Sequence, residues 1–194
     1  MKGQDAAPKG LVRMDSGEGT YRRFIQGDRS AFDEIMDAYR DKLIFFITGY
    51  VGNAETAQDI AMDTFVEILL HPGRFRFKSS FRTYLYSIAR RKAADYIRHS
   101  REIPMEAEHF ELPVSDLNSD IIRREDAGML YSAMEKIPAD YKTAVYLIYF
   151  EDCSNDEAAK IMGKSKKQLA NLVYRAKQAL RAELEREGFC YEEQ

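Results

Sequence analysis

The segment from Arg74 to Arg101 combines cations with aromatic rings in a way that suits nucleic-acid binding. It contains nine basic residues and Asp95 as its only acid, so its formal charge is 9 − 1 = +8. Six aromatic residues are interspersed among these cations. Cations neutralise phosphates, and rings stack on unpaired bases at roughly 1–3 kcal/mol per base. Duplex binding alone would not require the rings, and a merely solvated helix face usually mixes both charge signs.

The remaining charge is also partitioned along the chain, whose net charge is −3 over 194 residues. Residues 102–120 carry six acids and no Lys or Arg, giving −6, and they contain two prolines and no helical periodicity. Residues 164–186 carry seven cations and two acids, giving +5. We therefore predict two small domains joined by a flexible acidic linker.

Composition argues against several other classes of protein. No apolar run approaches the roughly 18 residues that would span a bilayer, so no membrane insertion is expected. Cys153 and Cys190 have no partner spacing, which is typical of a reducing cytoplasm. The three histidines match no metal-ligand spacing, and no metal or other cofactor is predicted. Residues 1–20 are polar and Gly-rich, and we interpret them as a disordered leader.

The elements that must position these residues are predicted to be helices throughout. Apolar residues recur at helical spacing, and no hairpin signal such as Asn-Gly or Asp-Gly appears. Asp28 and Asn53 are expected to cap the first two helices, and Pro138 suits the first turn of a later one. The predicted helices cover about 29–50, 54–70, 80–100, a stretch from about 121, and 138–150.

The C-terminal part predicts a helix-turn-helix. Ser154 with Glu157 and Ser165 with Gln168 each form a capping-box pattern, and Gly163 lies between the two helices that they begin. A short helix, a glycine-containing turn and a long basic helix are the components of this motif. An ordinary helical hairpin is the alternative, but the basic second helix favours DNA binding.

Four acids recur every fourth residue further upstream, at Glu55, Asp59, Asp63 and Glu67. We call this row the acidic ridge. One interpretation is a carboxylate metal site, although no His accompanies the acids in a helical E-x-x-H pattern. A solvated helix face is a second interpretation, and a protein-docking surface is a third.

Four segments resemble the successive conserved regions of extracytoplasmic-function (ECF) sigma factors of the sigma-70 family. They are GDRSAFDEIMDAYRDKLIFFI, TAQDIAMDTFVEIL, SSFRTYLYSIARRKAADYIR and KIPADYKTAVYLIYFEDCSNDEAAKIMGKSKKQLANLVYRAKQALR. The resemblance implies a non-catalytic, cytoplasmic protein that binds core RNA polymerase, directs it to promoters and assists promoter melting. It also implies five parts: a leader (1–20), a region 2-like domain (21–101), the linker (102–120), a region 4-like domain (121–187) and a tail (188–194).

The resemblance also implies which residues bind DNA and polymerase. The minus-10 element would be read by Phe75, Arg76, Phe77, Lys78, Ser79, Ser80, Arg82, Thr83, Tyr84, Ser87, Arg90, Arg91 and Arg98. The minus-35 element would be read by Ser165, Lys166, Lys167, Gln168, Asn171, Tyr174 and Arg175. Core polymerase would contact Asp59, Met62, Asp63 and Phe65. We expect Phe81 and Tyr96 to belong to the core instead.

The sequence departs from the family pattern at three places. Met62 stands where relatives usually have Gln, and Lys92 stands where they usually have Leu, so we expect Lys92 to extend towards Asp95. The middle of the second helix lacks the family's basic and hydroxyl cluster, and Ala170 and Asn171 lie there.

The partners implied are the β′ and β subunits of core polymerase and promoter DNA, and an anti-sigma factor is left open. The linker is either a solvated coil or an anionic segment that threads the polymerase's nucleic-acid channel.

Two other functions remain possible from the sequence. One is a stand-alone helix-turn-helix regulator, which leaves the aromatic-basic segment unused, and the other is a nuclease that binds metal at the acidic ridge.

Overall fold

A computed structural model describes residues 17–100 and 124–189, and every regular element in these ranges is helical. The all-α class predicted from the sequence is confirmed. A 3-10 turn at Pro72–Arg74 follows the third helix, and a π-helical turn at Tyr146–Phe150 continues the sixth. The eight α-helices are α1 (Glu18–Ile25), α2 (Ser30–Val51), α3 (Ala54–Leu70), α4 (Phe81–Ser100), α5 (Arg124–Lys136), α6 (Ala139–Val145), α7 (Asn155–Met162) and α8 (Lys166–Arg186).

The predicted boundaries differ from the structure at the N-terminal end. α1 begins at Glu18, inside the segment predicted as a disordered leader, so residues 18–20 are helical. The rest of that leader, the acidic linker at 102–120 and the end of the tail lie outside the described residues. The predicted domain boundaries therefore stay predictions.

Local capping signals produce three of the predicted helix starts, whereas Asp28 lies one residue before the N-cap Arg29 and accepts from the backbone N–H of Ser30 at 3.1 Å. The Asn53 side chain accepts a hydrogen bond from the backbone N–H of Thr56 at 2.8 Å, and the capping boxes at Ser154 and Ser165 are both complete. Gly163 ends α7 in the left-handed conformation, with φ of 61°. A left-handed residue reverses the chain after a helix at little cost only when it lacks a Cβ. Together these signals fold residues 154–186 into the predicted helix-turn-helix.

The first four helices pack around an aromatic centre. Phe81, at the start of α4, is fully buried, and its ring stacks on Tyr21 of α1 with the centroids 4.6 Å apart. Leu43 of α2 and Phe65 of α3 are buried in the same core. Because α4 has one apolar side, this packing turns its polar side away from α2 and α3.

The last four helices form a second group that supports the helix-turn-helix. Met134 of α5, Val145 of α6 and Ala176 of α8 share a small buried cluster. α7 crosses the start of α8, where Ala159 and Leu169 are buried. The buried stripe of α8 leaves the opposite side of its first turns exposed.

The two helical groups are packed against each other. The main core continues from α2 and α4 into α6 and α7. The ring centroids of Phe45 on α2 and Tyr146 lie 4.7 Å apart, and the Tyr146 hydroxyl lies 3.2 Å from the carbonyl oxygen of Lys42. Sequence reasoning predicts two groups of helices but gives no sign of this shared interface.

Removing the ring at the aromatic centre should destabilise the fold. We expect Phe81→Ala to lower the free energy of unfolding by about 3–5 kcal/mol, since the side chain is fully buried among other rings. Tyr174→Ala is the matched control, because that ring is 66% exposed. Urea unfolding followed by far-ultraviolet circular dichroism measures both. A Phe81→Ala midpoint equal to that of the control would contradict the assigned core.

Candidate nucleic-acid interface

The aromatic rings before α4 are mostly packed inside the protein. Phe75 is 5% exposed, and its ring centroid lies 5.3 Å from that of Tyr21 and 5.0 Å from that of Tyr84. Burial raises the pKa of Tyr21 to about 12, so its hydroxyl stays protonated and donates to the carbonyl of Pro72 at 2.8 Å. The expectation that Phe75 offers a free face to a base is therefore corrected. In this conformation Phe75 is a core residue.

Phe77 and Tyr84 are half-buried and differ from Phe75 in this respect. Phe77 has a left-handed backbone, with φ of 55°, which is unfavourable for a bulky residue. The Arg22 guanidinium lies 4.0 Å from its ring centroid in a cation–π contact. Part of each ring therefore remains at the surface, but one face of Phe77 is already occupied.

Glu67 forms ion pairs with three cations of the basic segment. Its carboxylate lies 2.8 Å from Arg91, 3.3 Å from Lys92 and 3.4 Å from Arg74. Burial raises the pKa of Glu67, but the hydrogen bonds from Arg91 and Lys92 outweigh that effect and leave the pKa below its usual value. The expected contact of Lys92 with Asp95 is wrong, since Lys92 reaches across to α3 instead.

The polar side of α4 contacts the first turn of α7. The hydroxyl of Ser80 donates to the carboxylate of Glu157 at 2.6 Å, and the hydroxyl of Thr83 lies 2.7 Å from that of Ser80 and 3.3 Å from the same carboxylate. Arg82 lies 3.8 Å from the same carboxylate. Burial raises the pKa of Glu157, but the hydrogen bonds from Ser80 and Ser154 and the charge of Arg82 outweigh that effect and leave the pKa below its usual value. Thr83 is 3% exposed as a result.

Two further candidates for the minus-10 element lie along the same side of α4. The guanidinium of Arg90 approaches the turn at Gly163, where a Cβ on that glycine would lie 3.0 Å from a guanidinium nitrogen. The hydroxyl of Ser87 donates to the backbone carbonyl of Thr83 at 2.6 Å. Both side chains are half-buried.

Other candidates of this set remain reachable from solvent. Arg76, Lys78, Arg91 and Arg98 are exposed, and Ser79 is half-buried. Arg98 lies 3.0 Å from Asp95 in a surface ion pair, which contributes little energy. The predicted minus-10 residues thus include an exposed set (Arg76, Lys78, Arg91 and Arg98) and a set that contacts the segment around α7 (Ser80, Arg82, Thr83 and Arg90).

The start of α8 presents the candidates for duplex DNA. All seven predicted minus-35 residues are exposed. Ser165 and Gln168 bond to each other's backbone N–H in the capping box, so their side-chain acceptors are partly occupied. Lys166 lies 2.7 Å from Asp156 on α7. Asn171 and Lys167 therefore have more freedom than the capping residues to meet base edges and phosphates.

The polymerase-binding candidates on α3 do not all share one face. Asp59 and Asp63 are exposed and Met62 is 44% exposed, but Phe65 is 1% exposed and belongs to the core. The assignment of Phe65 to a docking surface is therefore corrected. Glu67 also leaves the acidic ridge, since it points to α4. An exposed apolar row that sequence reasoning missed continues the surface instead, formed by Val66 (45%), Leu69 (47%) and Leu70 (66%).

We call five exposed residues of this helix the α3 surface: Asp59, Met62, Asp63, Val66 and Leu69. The sequence signal that could have revealed this surface is the helical spacing of its apolar residues, since Met62, Val66 and Leu69 recur every three to four residues. Within residues 17–100 and 124–189, no three His, Cys, Asp or Glu side chains cluster as metal ligands would. In the same ranges, no helix combines the length and the apolarity that a membrane crossing requires.

Comparison with known proteins identifies the family to which this chain belongs. The model of sigma-70 region 2 matches residues 35–103, and the model of sigma-70 region 4 matches residues 127–180. SigV, an RNA polymerase sigma factor of Bacillus subtilis, is 30% identical over 156 residues, which cover 80% of this chain and 89% of SigV. SigW, an ECF RNA polymerase sigma factor of Bacillus subtilis, is 28% identical over 171 residues, which cover 82% of this chain and 91% of SigW.

A solved structure agrees with the fold. The sigma factor RpoE, crystallised with the anti-sigma factor NepR from Bartonella quintana, superposes with a TM-score of 0.64 at 21% identity. The match covers 79% of this chain and 96% of RpoE. The matched regions span the loop before α4 and the helix-turn-helix together, which a stand-alone helix-turn-helix regulator would not require. The chain therefore belongs to the ECF class of the sigma-70 family, and it is a sigma factor that directs RNA polymerase to promoters.

Proposed function

We propose that this sigma factor uses three separate surfaces. The loop at residues 76–80 and the polar side of α4 read the minus-10 element, the first turns of α8 read the minus-35 element, and the α3 surface docks on core polymerase. The observation that carries the proposal is the exposure of the polar and cationic candidates on α8, α3 and the loop, while the stabilising apolar residues of each helix are buried.

At the minus-35 element, the first turns of α8 enter the major groove. Asn171 suits an adenine edge, and Lys167 and Arg175 suit phosphates, because an amide can form a bidentate pair with adenine whereas a flexible cation carries no sequence information towards a phosphate. In the same arrangement, Lys166 contacts a phosphate once its ion pair with Asp156 is broken.

At the minus-10 element, the burial of Phe75 shifts the base-reading role to its neighbours. Lys78, Ser79 and Ser80 carry short or flexible polar side chains beside the exposed parts of Phe77 and Tyr84. Such groups can hydrogen-bond the edge of an unstacked base while a ring supports its face. Arg90, Arg91 and Arg98 then serve the phosphates of the melted strand.

On core polymerase, the α3 surface docks on the clamp helices of the β′ subunit, and the helix-turn-helix half contacts the β subunit. The α3 surface combines two carboxylates with an apolar row, so it suits a partner that offers cations around an apolar strip. The protein performs no chemical step itself and acts in the cytoplasm, where it brings the polymerase's own catalytic centre to the promoter. RpoE binds an anti-sigma factor, and we include such an inhibitor among the partners of this chain.

Reversing the charge of the α3 surface should weaken polymerase binding. We expect Asp59→Lys combined with Asp63→Lys to lower the affinity for core polymerase at least ten-fold at low salt while the helicity stays unchanged, because exposed helix charges contribute little to stability. Asp33→Lys combined with Asp37→Lys on α2 is the matched control, since both acids are exposed and four residues apart. Fluorescence anisotropy with labelled sigma factor measures the affinity, and equal affinities for both double variants would contradict the docking assignment.

Salt should separate the charged from the apolar part of the same surface. Val66→Ser combined with Leu69→Ser should weaken binding about equally at 0.1 M and 0.5 M salt, because burial of apolar area is not screened. The defect of the Asp59 and Asp63 reversal should shrink as the salt concentration rises, since the Debye length is about 10 Å at 0.1 M and falls further with added salt. The measurement is the anisotropy titration repeated at each salt concentration. Parallel salt dependence of the two variants would contradict this division.

The two DNA surfaces should control different promoter elements. We expect Asn171→Ala to relax the preference at one minus-35 position by about 1–3 kcal/mol, and Lys78→Ala with Ser79→Ala to alter only the minus-10 preference. Gln178→Ala is the matched control, because it removes an exposed amide two turns further along α8. Transcription from a promoter library with reconstituted holoenzyme measures both preferences. A minus-10 shift in the Asn171 variant, or a minus-35 shift in the loop variant, would show that the assignment is wrong.

A further inference from the structure

The first helix, α1, is fixed to the loop before α4, although it precedes residue 35, where the match to sigma-70 region 2 begins. The ring centroid of Tyr21 lies 4.6 Å from that of Phe81 and 6.4 Å from that of Phe77. The Tyr21 hydroxyl also donates to the carbonyl oxygen of Pro72 at 2.8 Å. Because these contacts reach the start, the middle and the end of the loop, the residue that follows Tyr21 is held beside the loop.

That residue is Arg22, and it covers the ring of Phe77. The guanidinium carbon lies 4.0 Å from the Phe77 ring centroid. The ring of Phe75 packs on Phe77 with the centroids 4.6 Å apart. Phe75 is buried and Arg22 is exposed, so Phe77 lies between an inner ring and an outer cation. A DNA strand that approaches from the side of Arg22 therefore meets a guanidinium before it meets the ring.

The chain around Phe77 concentrates positive charge at a strained backbone. Arg76 and Lys78 flank Phe77 in the sequence, and both are exposed. Arg22 adds a third cation over the same residue. Phe77 also has a left-handed backbone with φ of 55°, and strain of this kind persists where the surrounding structure enforces it, often at binding sites. Like charges at such close range repel each other, and a bound anion would offset that repulsion.

Arg22 differs from its neighbour Arg23 in the partners of its charge. Arg23 lies 2.6 Å from Asp28 and 2.9 Å from Glu34, so its donors are already used. Within residues 17–100 and 124–189, no carboxylate lies within 4 Å of the Arg22 guanidinium, whose contact is the ring face. A guanidinium that rests on a ring keeps the N–H donors along its edge available. Those donors form a planar fork that matches phosphate oxygens.

We propose that Arg22 binds a phosphate of the melted minus-10 strand, and that α1 is therefore part of the DNA-binding surface. The inference rests on the proposed function, in which the loop at residues 76–80 reads an unpaired base. Phe77 serves as the support that orients the guanidinium, and the phosphate beside the base read by the loop is the ligand. Such a contact adds affinity but carries no sequence information.

The salt dependence of DNA binding tests the charge of Arg22. We use reconstituted holoenzyme and a fluorescent promoter that is premelted over the minus-10 segment. Arg22→Gln removes the charge but keeps an apolar stem and a planar amide over Phe77. It should weaken binding about ten-fold at low salt, as loss of a hydrogen bond to a charged group does. The slope of log affinity against log salt concentration should decrease by about 0.7, the value for one phosphate of a single strand. An unchanged slope overturns the inference.

A second cation at the same position separates binding from support of the loop. Arg22→Lys should restore the wild-type slope but only part of the affinity, because an ammonium group has the charge without the planar fork. Arg40→Gln is the matched control, since that exposed guanidinium pairs with Asp41 on α2, and it should leave both quantities unchanged. If Arg22 acted only by holding Phe77 in place, Arg22→Gln and Arg22→Lys would share one slope, and the phosphate assignment would be wrong.

Transcription from the promoter library distinguishes the inference from the proposed function. Arg22→Gln holoenzyme should lose activity about equally on all minus-10 sequences, because a phosphate contact does not depend on the base. A changed preference at one minus-10 position would mean that Arg22 contacts a base, which contradicts the inference. Failure of the proposed function would appear in a different variant, as an unchanged minus-10 preference when Lys78→Ala is combined with Ser79→Ala.

Discussion

The structure depends on the two-sided packing of α4. Its apolar side, with Phe81 and Leu85, fills the core formed by α1, α2 and α3, and this packing fixes the direction of every polar side chain on the other side. That polar side meets α7 in the described structure and is proposed to meet the minus-10 element on the polymerase. The polar side of α4 is therefore part of the contact between the two helical groups in this structure.

Carboxylates on two neighbouring helices, α3 and α7, pair with side chains of the basic segment. Glu67 holds Arg74, Arg91 and Lys92 on one side, and Glu157 receives donors on the other. A local charge of +8 would repel itself if its cations had no partners, so these acids reduce the electrostatic cost of folding while the cations stay near the surface. Surface pairs of this kind are weak, and phosphates can replace them when DNA arrives.

Sequence reasoning succeeds here where the signal is local. The capping boxes at Ser154 and Ser165 and the left-handed turn at Gly163 need only neighbouring residues, and all three appear as predicted. It fails where the answer depends on distant segments. Phe75 looks like a ring available to bases, but Tyr21, more than fifty residues upstream, covers it. Phe65 lies between exposed residues of α3 and is nevertheless buried, because the face of a helix is fixed by what packs on it rather than by family pattern.

The exposed surfaces imply an order of events in the proposed scheme. The α3 surface and the first turns of α8 are open in the described structure, whereas Thr83 and Arg82 face α7. Under the proposed function, core polymerase can therefore be bound at the α3 surface while α4 still contacts α7.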